Sequence, residues 1–346
     1  MKNDHRQITG LALLGKDFTP VPVDIFLENG LITSIEDNPK APPVWICPAL
    51  FNAHTHLGDT VAMDCRASGS LEELVTPPDG LKHRLLRTAP RQDLVAGMRA
   101  SIELMMAGGI AGCADFREGG ADGVRALDEA AAGLRFRTYA FGRDGGEAIA
   151  PGLGISSARD VPGTENLVRE AKHAGKKVAF HAGERDSRDV DAALSYEPDL
   201  LIHMTHATKR QLRYCAEAGI AIAVCPRSNW LLGVASSRHH PPLALMLDLG
   251  CTLYLGTDNV MFVPPDLFSE MAFVSLVYGL RPETILRAAV GGSELAGPGY
   301  FIREGVRANL FCIDTTRSNL RFSRDPLVSL TKRAYPAIIG TNVFNL

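Results

Sequence analysis

Two histidines one residue apart, His54 and His56, lie at the end of the stretch CPALFNAHTHL, Cys47–Leu57. Side chains two apart on a strand point to the same side. The two imidazoles can therefore aim at one point, and a shared metal ion is the usual use of that geometry. Groups of the same chemical kind follow: HAGE at His181–Glu184, HMTH at His203–His206 and GTDN at Gly256–Asn259. Each sits at the C-terminal end of an apolar, strand-like run. Singly, a strand-end histidine is more often only hydrogen-bonded, and an aspartate in such a loop is more often a turn residue. Together, three histidines and a carboxylate suit one divalent ion with an open position for water.

Bringing residue 54 to residue 258 needs a fold that gathers strand ends. Residues 46–300 alternate strand and helix signals. Eight strands are expected: Ile46–Asn52, Ile110–Phe116, Phe136–Phe141, Gly152–Ser156, Val178–His181, Leu200–Met204, Ile220–Val224 and Leu253–Thr257. Arg91–Ala107 reads as a helix stopped by Gly108-Gly109, and Thr208–Ala218 as one ended by Gly219. Such alternation implies parallel pairing with right-handed crossovers. Eight units in about 250 residues suggest a (β/α)8 TIM-type barrel, with a doubly wound open sheet as the alternative. In a barrel the active site gathers at the C-terminal strand ends, where the groups above fall.

The flanks read differently. QITGLALLG, VDIFLENG and LITSIEDN are short β segments with an Asn29-Gly30 hairpin signal. Their expected partners are Ala308–Asp314 and Ala337–Phe344. The expected organisation is a small β-sandwich domain from 1–45 plus 301–346 beside a catalytic barrel over 46–300. The long connection Gly58–Ala89 reads as a lid, or as a surface insertion without a role.

Bulk properties narrow the classes. The chain has 346 residues, 46% apolar and 22% charged, enough for a large core. Thirty-six basic and 39 acidic residues give a net charge of −3, which disfavours nucleic acid or an anionic membrane as a partner. The seven cysteines form no C-x-x-C pair and are odd in number, as expected of buried free thiols. The polar N-terminus and the absence of an apolar run of roughly 18 residues lead us to expect a soluble, cytoplasmic protein.

The sequence resembles the amidohydrolase superfamily, in its branch of cytosine deaminases, adenosine-type deaminases and chlorohydrolase-like enzymes. The resemblance runs from PALFNAHTH through HAGE, LIHMTHATKRQLRYCAEAGIAIAVCPRSNWLLG and LGTDN to REGVRANLFCID. It implies His54, His56, His181 and Asp258 as metal ligands, Glu184 as the proton-shuttling acid and His203 as the histidine beside the metal-bound hydroxide. His206 would then be structural. No lysine ends the fourth strand, near Gly152–Ser157, where two-metal members carry one; one divalent ion is expected, zinc first, with iron or manganese as alternatives. The implied reaction is deamination of an amino-substituted heterocycle: nucleobase, nucleoside or pterin-like. Hydrolysis of a ring amide or of a halogen substituent, or an inactive metal-binding barrel serving as a binding protein, are the alternatives. The family also suggests a homo-oligomer. Arg117, Arg227 and Asn229, after the second and seventh strands, are candidate substrate contacts. For Arg117–Glu118 the plainer reading is a surface ion pair, for Lys82, His83 and Arg84 a solvated helix face, and for His239-His240 a surface loop.

Overall fold

The structure is a computed structural model and describes residues 5–66, 68–159 and 161–344. The chain opens with β1 (His5–Leu14), β2 (Thr19–Glu28), β3 (Leu31–Asp37) and β4 (Val44–Pro48). The central strands are β5 (Leu50–His56), β6 (Ile110–Arg117), β7 (Arg137–Gly142), β8 (Gly152–Ile155), β9 (Lys177–Ala182), β10 (Leu200–His203), β11 (Ala221–Val224), β12 (Leu253–Leu255) and β13 (Asp258–Asn259). β14 (Asn309–Asp314) and β15 (Ile339–Phe344) close the chain.

Two sheets result. The first has the order β15-β14-β4-β1-β2-β3 and joins the two ends of the chain. Its free edge bonds back on itself: Ile32 N donates to Val306 O and Ala308 N to Gly30 O, both at 2.9 Å, just before β14. The alternating residues Ile8, Val23, Ile25, Ile32, Leu310 and Val343 fill the core this encloses. The second sheet runs β12-β11-β10-β9-β8-β7-β6-β5-β13, with parallel pairing throughout. β13 continues from β12 after two residues, so the two ends of this order are one interrupted strand. Pairing of Asp258 with Thr55 and Asn259 with His56 shuts the sheet into the TIM-type barrel.

Two strands differ from expectation. The run Ile46–Asn52 is split: residues up to Pro48 belong to the terminal sheet and residues from Leu50 to the barrel. Pro48 has no N–H to continue a ladder, which ends β4 there. The eighth strand is broken at Gly256-Thr257, where β5 presses against it. A Cβ on Gly256 would lie 2.7 Å from His54 Cβ, so only glycine permits this approach. Asn52 rivets the seam: its Nδ2 donates to Thr257 Oγ1 at 2.8 Å, and its Oδ1 accepts from Thr257 N at 3.1 Å.

The connection after β5 folds into a 3-10 turn (Leu57–Ala62), α1 (Leu71–Val75) and α2 (Leu81–Thr88). α1 is started by a capping box between Ser70 and Glu73. α3 (Arg91–Ala107) then packs Met98, Ile102 and Met105 inward at helical spacing.

Candidate active site

The barrel brings the sequence-distant groups to one rim. His54 and His56 end β5, His181 lies near the end of β9, His203 ends β10, and Asp258 starts β13. All five are buried. Their candidate ligand atoms fall into overlapping trios, each within 4.8 Å: His54 with His181 and His203, His54 with His56 and Asp258, and Glu184 with His203 and Asp258. Asp258 Oδ1 lies 3.2 Å from His54 Nε2 and 3.5 Å from His56 Nε2. His203 (φ 72°), Met204 (φ 50°) and Asp258 (φ 64°) sit in the left-handed region that non-glycine residues avoid. Such strain persists only where surrounding structure holds it, as at a site.

The supporting hydrogen bonds fit a cation. His56 Nδ1 lies 3.2 Å from the Phe116 carbonyl and His181 Nδ1 3.2 Å from that of Ile155; a carbonyl only accepts, so each Nδ1 donates and each Nε2 keeps a lone pair. Ser228 Oγ (2.7 Å) and Asn259 Nδ2 (2.8 Å) both donate to Asp258 Oδ2, which leaves Oδ1 facing the imidazoles. The donor set, nitrogens and one carboxylate oxygen, suits zinc, iron or manganese.

The electrostatics agree. Burial pushes His54 down to about 4 and His56 to about 3, and holds His181 well below the usual range, so the rings stay neutral and able to bind metal. Burial alone would raise Asp258. Its hydrogen bond with His54 and its interactions with the surrounding imidazoles outweigh that and hold the carboxyl well below its ordinary value. Glu184 goes the other way: burial raises it, His203 opposes and Asp258 adds. His203 Nε2 lies 3.6 Å from Glu184 Oε1, and its Nδ1 donates to Asn229 Oδ1 at 3.1 Å.

The candidate substrate contacts separate. Asn229 touches His203 and Thr205. Arg227 is not brought to the cluster: its Nε bonds Glu270 at 2.5 Å and its Nη2 takes the carbonyls of Pro264 and Asp266. Arg117, a candidate substrate contact with a surface ion pair as the plainer reading, is buried beside the rim, 3.3 Å from Asp115 and 2.8 Å from Glu118. His206 bonds the Val234 carbonyl, and His239 and His240 are exposed.

Asp59 and Arg143 went unnoticed in the sequence, and Lys82 and Glu118, read there as surface groups, are buried. Lys82 of α2 is buried, with Nζ 2.9 Å from Glu118, 3.2 Å from Asp59 and 3.3 Å from Asn259 Oδ1. It points inward from α2, where a solvated face was expected. Glu118 also meets His56 Nδ1 at 2.8 Å and Arg143 Nη1 at 3.2 Å. Its burial cost is outweighed by Lys82 and His56, which hold it well below the usual carboxylate value. Burial lifts Asp59 to about 7 against the pull of Lys82. One signal pointed to Arg143: it directly follows a barrel strand, β7, on the active rim.

A closed eight-stranded barrel whose strand ends carry converging imidazoles and a carboxylate defines a barrel hydrolase with a candidate metal centre. The chain belongs to the amidohydrolase family, whose sequence model matches residues 45–334. It is therefore a hydrolytic enzyme acting on carbon–nitrogen bonds. A putative aminohydrolase of Methanothermobacter thermautotrophicus is 33% identical over 94% of this chain and 93% of its own length. A 5-methylthioadenosine/S-adenosylhomocysteine deaminase of Natronomonas pharaonis is 25% identical over 97% of this chain and 89% of its own. Among solved structures, an adenosine deaminase from Xanthomonas campestris with bound zinc superposes with a TM-score of 0.77 at 17% identity, covering 97% of this chain and 90% of that one. Among the described residues, no helix is long and apolar enough to cross a membrane.

Proposed function

We propose that this chain is a mononuclear metal-dependent aminohydrolase that converts an amino-substituted heterocycle and water into the oxo-heterocycle and ammonia. The observation that carries the reading is the placement of Glu184 and His203 beside Asp258, against the His54–His56–His181 cluster. A ligand-only site would need no acid with a raised pKa next to it. The relatives named as aminohydrolase and deaminase support the same reaction class.

His54, His56, His181 and Asp258 would hold one divalent ion, zinc first. When bound, the ion supplies a nucleophile near neutral pH by lowering the pKa of a water to about 7. Asp258 would both help hold the ion and take up the proton released. Glu184, whose pKa burial raises, would give a proton to the ring nitrogen beside the attacked carbon; the proton held by Asp258 would pass to the departing amine, and the proton left on the new oxygen would return to Glu184. Asn229 Oδ1 accepts a hydrogen bond from His203 Nδ1, which aims His203 Nε2 at Glu184. The carbon–nitrogen bond to the amine breaks as the new carbon–oxygen bond is completed. The ligands expected are nucleobases, nucleosides or pterin-like compounds.

The test is metal content by elemental analysis, paired with ammonia release from purines, pyrimidines, pterins and their nucleosides. About one equivalent of metal with ammonia from one class supports the proposal. Two equivalents, or no ammonia from any class, would overturn it.

A further inference from the structure

Two chambers meet at the rim. The smaller, 60 Å³, is lined by His56, His181, His203, Glu184 and Asp258. The larger, 920 Å³, lies between α2, α3 and the ends of β6 to β8, and is walled mainly by apolar groups such as Leu86, Leu94, Met98, Val161 and Leu167. Pro77, Arg143 and Ser156 line both. Ligand pockets usually span about 300–1,000 Å³, so only the larger chamber has room for the body of a substrate.

Arg143 stands at the junction with its side chain 9% exposed. Its guanidinium lies over the Phe116 ring, 5.5 Å from the centroid, and Nη1 donates to Glu118 Oε1 at 3.2 Å. Its buried Nε–H has no partner among the described residues. Nη2 lies 3.3 Å from His181 Nδ1, yet that nitrogen also lies 3.2 Å from the Ile155 carbonyl. One Nδ1 cannot both donate to the carbonyl and accept from Arg143. In the tautomer that leaves His181 Nε2 free, the proton is on Nδ1, and Arg143 Nη2 has no acceptor there. Nε–H and the adjacent Nη2–H form one planar fork, and both are then unused. A buried guanidinium with an idle fork is costly unless a ligand supplies the acceptors.

We infer that Arg143 is a specificity-determining residue whose Nε–Nη2 fork binds a pair of in-plane acceptors on the substrate, with the substrate body in the 920 Å³ chamber. This rests on the aminohydrolase reading of the site. The chemistry is met either by a carboxylate on the heterocycle or by a ring oxygen beside a ring nitrogen. The amino group to be lost then points into the small chamber, toward Glu184.

The test measures binding calorimetrically on metal-loaded Glu184→Gln protein, where turnover does not interfere. Guanine, which has an oxygen beside a ring nitrogen, is compared with adenine, which has an amino group there. Aminonicotinate is compared with the aminopyridine that lacks the carboxylate. The fork predicts that one pair differs by about 10- to 100-fold in Kd, and that pair identifies the acceptor. The difference should vanish in a further Arg143→Lys variant, which keeps the charge but not the fork. The inference is overturned if neither pair differs, a result read without the arginine variant, or if the preference survives in a folded Arg143→Lys protein. A fork confirmed by binding alongside a wild-type protein that releases no ammonia would sink the aminohydrolase reading and leave the fork standing.

Discussion

Glu184 and the histidines around it are shifted by the same burial in opposite chemical directions. Burial keeps the carboxyl of Glu184 protonated to higher pH and keeps His54 and His56 neutral to lower pH. Glu184→Gln should therefore retain metal while kcat falls by about 100- to 10,000-fold, read from metal content and ammonia release together. Loss of the metal in that variant would instead make Glu184 a ligand. The histidines give a second expectation. In the unfolded chain they protonate near pH 6.5, whereas the folded rings wait until about 4 and about 3. Below that upper value the unfolded state binds more protons, so stability falls as pH falls. The unfolding temperature of metal-stripped protein should decline between about pH 7 and about pH 4, and a flat profile would contradict the burial of these rings. His54 and His56 were legible in the sequence because spacing on a strand fixes direction, and His181, His203 and Asp258 because each ends an apolar run. Lys82, Glu118 and Arg143 were not, because their burial depends on what packs over them.

At the scale of elements, the segment after β5 is held down by its charges. Lys82 carries α2 onto Asp59 and Glu118, and Arg185 bridges to Glu72 of α1 at 2.8 Å. Only the first contact is buried, so it carries the greater cost of disruption. Lys82→Met should destabilise the protein by about 3 kcal/mol in urea unfolding, because two carboxylates lose their shared cation. Arg84→Ala, on the exposed side of α2, should change stability by less than about 0.5 kcal/mol. Equal effects would show that Lys82 is not buried in solution. The order and ends of most strands could be read from apolar runs bounded by turn residues; the span of α3 matched its expectation, Arg91–Ala107. The break at Gly256-Thr257 could not, since it arises from contact with a strand some 200 residues earlier.

At the scale of the molecule, the terminal sheet is fastened to the bottom of the barrel. Gly109, just before β6, has φ +75°, accepts Leu50 N–H at 2.9 Å and meets the ring of Phe311 from β14. A Cβ there would lie 2.8 Å from Phe311 Cδ1. Gly109→Ala should therefore cost about 2 kcal/mol by combining left-handed strain with overpacking, visible as a lowered unfolding temperature. An unchanged temperature would mean that the two units are less tightly joined. The pairing of the chain's two ends was readable from their β signals. The exact allotment of Val44–Pro48 to the terminal sheet was not, because one apolar run serves both sheets.

The seam of the barrel has a bearing on how the protein is made. Asp258 reaches the imidazoles where β13 pairs with β5, so closing the sheet also completes the site. A nascent chain of 250 residues already carries His54, His56, His181 and His203, yet lacks the strand that shuts the sheet around them. Contacts this distant in sequence form slowly. If the proposed ion binds these residues, metal supplied during synthesis should favour the closed form over its open precursors.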